Sequence, residues 1–266
     1  MEHELGVIGG GNMAEACVRG LLNAGLLTAE RIVVSDVSAE RRERLARTGA
    51  TCTADNKLPA RCQRVLLAVK PQVLPGVLDE VSGEVRPDAT VVSIAAGVKA
   101  AGIARRLGGR GRIVRVMPNT PMLVGEGAAA VSAGPGATED DLAWTEQAFA
   151  VSGRTVRVDE SLMDAVTAVS GSGPAYFFYL IEAMVAAGVA EGLDEATATL
   201  LASQTCAGAA RLLLESNEKP AVLRARVTSP NGTTQRAIET MDAAGVRDAL
   251  VRGVRAAAER SRELGR

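Results

Sequence analysis

Residues 5–14 read Leu-Gly-Val-Ile-Gly-Gly-Gly-Asn-Met-Ala. The apolar start of this stretch predicts a buried strand, and the periodic apolar residues after it predict a helix that ends near Gly25. A strand, a glycine turn and a helix in this order begin a βαβ unit. In such a turn Gly9 makes the tight bend, Gly11 leaves the backbone open to approach, and Ala14 lets the helix pack closely on the sheet. The stretch therefore predicts an α/β fold.

The glycine turn also predicts a dinucleotide site, because it follows a strand, opens a helix and is followed by an acidic residue after the next strand. Asp36, at the end of that next strand, is placed to accept hydrogen bonds from the adenosine ribose, which favours NADH. Arg41 and Arg42 lie nearby and would favour the 2′-phosphate of NADPH. Both NADPH and NADH therefore stay open as the cofactor.

Strands and helices continue to alternate up to residue 158, which predicts a mostly parallel sheet covered on both faces. Beyond that residue no strand pattern appears, and the sequence predicts helices only. The further strands are expected at 31–35, 64–69, 90–95, 112–116 and 128–132, and the late helices at 161–190, 194–215, 220–226, 233–244 and 246–262. We expect a dinucleotide-binding domain of the Rossmann type at 1–158 and an all-α domain at 159–266.

Composition excludes several classes of function. Aromatic residues make up 2% of the 266 residues and the net charge is −1, so binding of nucleic acid is not expected. His3 is the single histidine and the four cysteines show no CxxC spacing, so no metal site is expected. Without a signal-peptide pattern, a cytoplasmic location is predicted. The apolar run at 175–190 is interpreted as a buried core helix rather than a membrane span.

Small residues end two of the predicted strands, where open α/β sheets bind ligands. The segments are Ala68-Val69-Lys70-Pro71 and Ala95-Ala96. They leave room for a nicotinamide ribose, and Lys70 either neutralises a charge there or is simply solvated. Asn119 lies between two prolines and either points at the nicotinamide edge or belongs to a stiff turn. The glycines at 171 and 173 interrupt a helical pattern, so another group must approach the backbone there.

Residues 227–234 read Val-Thr-Ser-Pro-Asn-Gly-Thr-Thr and precede a predicted helix. The backbone amides in the first turn of a helix lack intrahelical partners and attract anions. With four hydroxyl side chains, this turn suits a small carboxylate, although a capped turn without a ligand explains the same residues. Thr233 or Thr234 is expected to cap the helix, and Asn231 is expected to accept a left-handed conformation.

Taken together, these motifs resemble the pyrroline-5-carboxylate reductase family over essentially the whole chain. The glycine turn is shared with many dehydrogenases, whereas the turn at 227–234 is specific to the family. Asn231 departs from the pattern, since the family usually has Gly there. The resemblance implies reduction of 1-pyrroline-5-carboxylate to L-proline by NADPH or NADH, the last step of proline synthesis, in an intertwined homodimer. Family members include decamers, so assembly beyond the dimer is left open.

The resemblance also implies roles for individual residues. Ser229, Gly232 and Thr233 would hold the substrate carboxylate, and Thr234 would hydrogen-bond the ring nitrogen as the candidate catalytic residue. The implied cofactor residues are Gly9, Gly11, Asn12, Met13, Asp36, Asn56, Ala68, Val69, Lys70, Pro71, Ala95 and Ala96. The nearest alternative is a related reductase of the same two-domain plan that acts on another imine or on a β-hydroxyacid. The β-hydroxyacid reductase is disfavoured, because no lysine lies between Lys99 and Lys219. A protein that binds the cofactor without turnover is the alternative from another class.

Overall fold

The computed structural model describes residues 3–265, which divide into two compact units. The first unit is the chain up to Ser172 together with the residues from Ala257 onward, and the second unit is Gly173–Ala256. The units differ in extent from the predicted domains 1–158 and 159–266. Met163 and Ala168 are buried, so the helical turns that follow the last strand belong to the first unit rather than to the helical one.

The first unit contains an eight-stranded sheet. Its strands are β1 Leu5–Ile8, β2 Ile32–Ser35, β3 Thr51–Thr53, β4 Arg64–Leu67, β5 Thr90–Ser93, β6 Arg112–Met117, β7 Gly127–Ala133 and β8 Gly153–Arg157. They lie in the order β3-β2-β1-β4-β5-β6-β7-β8. Every neighbouring pair is parallel except β6 and β7, so the prediction of a mostly parallel sheet is confirmed. The sequence did not predict β3, which has three residues, or β8, whose Arg154 and Arg157 are exposed.

Helices cover both faces of this sheet. They are α1 Asn12–Asn23, α2 Ala39–Ala46, α3 Lys57–Ala60, α4 Leu74–Val81, α5 Ala100–Arg106, α6 Glu139–Ala150 and α7 Met163–Val166. Neighbouring residues of β1 belong to different core clusters: Val7 packs with α1, whereas Ile8 packs with α4 and α5. A strand that is buried on both faces reads as a continuous apolar run, which is why β1 is recognisable in the sequence.

Two short irregular segments follow strands β6 and β8. A 3₁₀ turn at Thr120–Val124 follows β6, and a π-helical turn at Thr167–Gly171 follows α7. The predicted helix over 161–190 is therefore broken, as its glycines indicated, and a new helix begins at Gly173. Gly171 lies against the end of the Met117 side chain, because a Cβ there would lie 2.4 Å from Cε of Met117 and would require that side chain to move.

The remaining helices are α8 Gly173–Ala190, α9 Glu195–Ser216, α10 Pro220–Arg226, α11 Thr233–Ala243 and α12 Val246–Leu264. The interpretation of α8 as a buried core helix is wrong for the single chain. Its Phe177, Phe178 and Tyr179 are 57%, 60% and 73% exposed. By length and composition alone, the helical stretch Glu160–Ala190 also meets the requirements of a membrane span. Apolar side chains exposed together on a helix usually mark a surface that packs against another molecule. In the described residues of the single chain these side chains do not belong to the core.

Candidate active site

The glycine turn joins β1 to α1 in the conformation that the sequence predicted. Gly9 has φ +101°, and a Cβ on it would lie 2.8 Å from the carbonyl oxygen of Ala68. Gly11 is the N-cap of α1, and a Cβ on it would meet no atom within 4 Å. The backbone amides of Asn12 and Met13, in the first helical turn, have no hydrogen-bond partner within residues 3–265. The turn therefore presents free donors and open space beside Gly11, which suits a phosphate group.

Asp36 lies at the carboxyl end of β2, against this turn. Its Oδ2 accepts a hydrogen bond from the Gly10 amide at 2.7 Å, and its Oδ1 accepts one from the Ser38 amide at 2.8 Å. Burial alone would raise the pKa of the Asp36 carboxyl, but these two amides and the charge of Arg41 outweigh it and hold the pKa below its usual range. The carboxylate is thus ionised and fixed, with lone pairs left for further donors such as ribose hydroxyls.

The two arginines near Asp36 differ in their contacts. Arg42 donates to the carbonyl oxygens of Asp36 and Val37, at 2.7 and 3.0 Å. Arg41 lies 3.4 Å from Asp36 Oδ2 and its side chain is half exposed. Both arginines keep guanidinium donors for an additional anion, Arg41 being the more exposed of the two, and the choice between NADH and NADPH stays open.

Asn56 lies beside the same strand. Its Oδ1 accepts a hydrogen bond from the Ser35 hydroxyl at 2.8 Å, and its Nδ2 donates to Glu80 at 2.9 Å. The structure therefore brings Asn56 next to the end of β2, as expected for a residue at the adenosine end. Its side-chain amide is already engaged on both sides.

The predicted residues after β4 and β5 also lie at the carboxyl edge of the sheet. A Cβ on Gly9 would lie 2.9 Å from Cγ1 of Val69, so the loop after β4 contacts the glycine turn directly. Lys70 is exposed, and its carbonyl oxygen accepts bonds from the first turn of α4. Ala95 is 5% exposed and belongs to the core, so any contact that it makes with a ligand would come through its backbone.

Asn119 does not have the free side chain that a contact with the nicotinamide requires. Its Oδ1 accepts a hydrogen bond from the Ala128 amide at 2.8 Å, and its Nδ2 donates to the carbonyl oxygen of Ser170 at 3.2 Å. These two contacts use both ends of the amide. Of the two alternatives for Asn119, these contacts favour the stiff turn over a contact with the nicotinamide edge, and the residue connects three segments.

The turn before α11 has the predicted left-handed residue, since Asn231 has φ +58°. Gly232, and neither threonine, is the N-cap of α11, so the expectation that Thr233 or Thr234 caps the helix is wrong. The Gly232 amide donates to the carbonyl oxygen of Ser229 at 3.0 Å and is not available to a ligand. A Cβ on Gly232 would lie 2.4 Å from Oγ of Ser229, so only glycine leaves this hydroxyl its place.

The hydroxyls of this turn fall into two groups. Thr228 donates to the carbonyl oxygen of Arg224 at 2.7 Å and so belongs to the end of α10. The hydroxyls of Ser229, Thr233 and Thr234 have no hydrogen-bond partner in the described part of the chain, and neither do the amides of the two threonines. Three hydroxyls and the first-turn amides of α11 are therefore available to an anion.

Gln235 is a residue of this turn that sequence reasoning did not select. Its Oε1 accepts a hydrogen bond from the Asn231 amide at 2.8 Å, which holds the turn in its left-handed form. Glutamine at the third position of a helix is the known signal for such a bond back to the preceding loop. The predicted cofactor residues all lie in the first unit, and the predicted substrate residues all lie in the second.

A cavity of about 390 Å³ lies elsewhere, at the amino ends of β4, β5 and β6. In its wall Arg112 forms two hydrogen bonds with the buried Asp141, at 2.6 and 2.8 Å. Arg64 lies over the ring of Trp144, 4.6 Å from its centroid. These groups satisfy one another, and the edge is opposite to the carboxyl ends where open α/β sheets bind ligands, so this cavity is not the candidate site.

Comparison with known proteins identifies the family. Residues 160–264 match the family model described as pyrroline-5-carboxylate reductase dimerisation, and residues 4–97 match the one described as NADP oxidoreductase coenzyme F420-dependent. The pyrroline-5-carboxylate reductases of Methanosarcina acetivorans and Synechocystis are 43% and 44% identical to the chain, and each alignment covers 100% of both proteins.

Solved structures agree with this. The pyrroline-5-carboxylate reductase of Coxiella burnetii superposes with a TM-score of 0.91 at 36% identity and covers 100% of both chains. The Plasmodium falciparum pyrroline carboxylate reductase, solved with NADP bound, has a TM-score of 0.89 at 29% identity and covers 99% of this chain and 98% of its own. By this full-length similarity, the chain belongs to the pyrroline-5-carboxylate reductase family.

Proposed function

We propose that the protein reduces 1-pyrroline-5-carboxylate to L-proline by hydride transfer from NAD(P)H. The hydride adds to the imine carbon and a proton is held at the ring nitrogen, so the C=N bond becomes a CH–NH bond. The observation that carries the proposal for the substrate is the turn before α11, where the hydroxyls of Ser229, Thr233 and Thr234 have no hydrogen-bond partner among residues 3–265.

The chain's own residues fit the cofactor. The free amides of Asn12 and Met13 and the open space beside Gly11 suit a pyrophosphate, and Asp36 suits the adenosine ribose. Ala68, Val69 and Ala96 are half-buried residues without polar side-chain atoms that follow β4 and β5 at the carboxyl edge of the sheet, which suits the nicotinamide end. Bound there, NAD(P)H supplies the hydride.

The substrate residues act by binding and orientation. Ser229 and the amides of Thr233 and Thr234 hold the carboxylate at the N-terminus of α11, where the helix dipole adds a favourable field. The Thr234 hydroxyl then orients the ring nitrogen. A fixed orientation of the reacting atoms is worth several kcal/mol of the barrier, so positioning supplies most of the rate enhancement.

The proton requires a separate argument, because a threonine hydroxyl is a poor acid. The imine binds already protonated, or a water relays the proton through the Thr234 hydroxyl. An iminium carbon accepts hydride far more readily than a neutral imine. In either route Thr234 holds the proton at the nitrogen and does not generate it.

Initial rates of NADH and NADPH oxidation with 1-pyrroline-5-carboxylate test this function and settle the cofactor preference in one experiment. The matched control substrate is 1-pyrroline, which has the same imine and no carboxylate. We expect oxidation with at least one cofactor, and a kcat/KM for 1-pyrroline lower by about tenfold or more. Absence of oxidation with both cofactors would remove the proposed reaction, and equal kcat/KM for the two imines would remove the carboxylate site.

The protein associates with itself, as the match of its helical region to a dimerisation family indicates. We propose an intertwined homodimer in a cytoplasmic setting, in which a second copy covers the exposed aromatic residues of α8. Phe178→Glu should then shift the protein to monomers in sedimentation-velocity runs. Val156→Glu, an equally exposed position on β8 of the first unit, is the matched control and should leave the dimer intact.

A further inference from the structure

The loop after β6 lies on the nicotinamide half of the sheet. Strands β1 to β6 are parallel, so their carboxyl ends share one edge, and the strand order changes direction between β1 and β4. In such sheets a dinucleotide lies across that point, with its adenosine on one side and its nicotinamide on the other. Asp36, the ribose residue, follows β2, so the loops that follow β4, β5 and β6 belong to the nicotinamide half.

The side chain of Asn119, in that loop, hydrogen-bonds to β7 and continues the pairing of β6 with β7. The antiparallel register pairs Met117 with Ala130, and continuing it places Asn119 opposite Ala128. The Asn119 Oδ1 accepts the Ala128 amide at 2.8 Å and so takes the place of the next backbone bond of the ladder. Although Asn119 is the N-cap of the 3₁₀ turn Thr120–Val124, its side chain makes no cap bond there.

The other end of the same side chain holds the π-helical turn. The Asn119 Nδ2 donates to the carbonyl oxygen of Ser170, 51 residues away in sequence. The turn has the hydrogen bond of a π-helix, from the Ser172 amide to the Thr167 carbonyl oxygen at 2.8 Å. Gly171 of this turn lies directly against the Met117 side chain, since a Cβ on it would lie 2.4 Å from Cε of Met117. The turn therefore meets the end of β6 at two points.

We propose that Asn119 is a positioning residue for hydride transfer, which fixes the π turn Thr167–Gly171 against the carboxyl end of β6 as one wall of the nicotinamide site. The inference rests on the proposed reductase function. Because both ends of its side-chain amide are engaged within the chain, Asn119 would act through Ser170 and not by direct contact with substrate or cofactor. Hydride transfer needs reacting atoms about 3–3.5 Å apart, and a displacement of 1 Å can lower the rate about 100-fold. Turns of π type inside helices occur often at functional sites, which agrees with this role.

Two variants test the proposal. Asn119→Ala removes both hydrogen bonds. Asn119→Asp keeps an acceptor for the Ala128 amide but turns a carboxylate oxygen towards the Ser170 carbonyl, so it loses the bond to the π turn. We expect both variants to lower kcat about 10- to 100-fold. The Kd of NADPH, measured by its fluorescence, should change less than about twofold, because the glycine turn is untouched. The primary deuterium isotope effect on kcat should rise, because hydride transfer becomes more rate-limiting.

Thr145→Val is the matched stability control. It removes a buried hydrogen bond of 2.7 Å, from the Thr145 hydroxyl to the Asp141 carbonyl oxygen, on a helix away from the carboxyl edge. Its melting temperature should fall while kcat stays at the wild-type value. A wild-type kcat in Asn119→Asp, or an equal loss of kcat in Thr145→Val, would overturn the proposal. Asn119→Asp decides the matter if Asn119→Ala does not fold. A wild-type enzyme inactive on 1-pyrroline-5-carboxylate would instead overturn the proposed function.

Discussion

Replacing Thr234 by valine should separate activity from stability. Thr234 is the second residue of α11, and its hydroxyl has no hydrogen-bond partner within residues 3–265. Its removal therefore breaks no intramolecular hydrogen bond. We expect the free energy of unfolding of Thr234→Val, from urea titrations, to stay within about 0.5 kcal/mol of the wild type.

The same change should strongly reduce catalysis. A hydrogen bond to a charged group contributes about 1.5–3 kcal/mol, and every 1.4 kcal/mol is about a factor of ten in rate. If the hydroxyl bonds the ring nitrogen of an iminium substrate or its proton relay, kcat/KM for 1-pyrroline-5-carboxylate should fall about 10- to 150-fold. The affinity for NAD(P)H should not change, because the proposed cofactor residues lie in the other compact unit. Steady-state rates with the favoured cofactor provide the measurement.

Thr228→Val is the control from the same turn. The Thr228 hydroxyl donates to the Arg224 carbonyl oxygen at 2.7 Å, so its loss should cost about 1 kcal/mol of stability and leave kcat/KM near the wild-type value. An unchanged kcat/KM in Thr234→Val would remove Thr234 from the mechanism. Equal losses of kcat/KM in the two variants would mean that the effect comes from the conformation of the turn.

Three further changes test other parts of the account. Gly232→Ala places a Cβ 2.4 Å from the Ser229 hydroxyl, so KM for 1-pyrroline-5-carboxylate should rise about tenfold, while kcat/KM for 1-pyrroline, which lacks the carboxylate, stays unchanged. Asp36→Ala removes the proposed ribose acceptor and its negative charge, so the ratio of kcat/KM for NADPH to that for NADH should rise about tenfold in initial-rate measurements. Burial alone would raise the pKa of Asp141, but hydrogen bonds from Arg112, Thr90 and Thr138 together outweigh it and hold that pKa well below its usual range. A carboxylate whose pKa is lower in the folded than in the unfolded chain stabilises the fold above the unfolded pKa, and this stabilisation is lost as pH falls towards the folded pKa. Asp141→Asn should therefore lower the free energy of unfolding by about 3 kcal/mol at neutral pH. The difference from the wild type should shrink in urea titrations near pH 3.

Local patterns were sufficient to predict the glycine turn and the left-handed Asn231. Gly9 and Gly11 act within a few residues of sequence, and the free amides beside them follow from the helix that begins there. Asn231 was expected to tolerate positive φ because of its residue type, and the bond that its amide makes is also local, to the side chain of Gln235. Such features depend on short-range sterics, which a sequence displays directly.

Long-range features were not predictable in the same way. The role of Asn119 depends on the register of β6 and β7 and on a π turn that begins 48 residues later, so no local pattern shows it. The Gly232 amide was expected to bind substrate, but a bond to Ser229 within the turn uses it. The exposure of Phe178 depends on a surface outside the chain, and an apolar helix looks the same in sequence whether its own core or a partner covers it.

The most direct test of the central claim follows the hydride itself. The protein is incubated with 1-pyrroline-5-carboxylate and reduced cofactor that carries deuterium at the transferable position, and the proline formed is analysed by mass spectrometry and NMR. The account predicts L-proline with a single deuterium on Cδ, the former imine carbon, which is the neighbour of the ring nitrogen that does not carry the carboxylate. Proline without deuterium, deuterium at another carbon, or no proline at all would contradict it.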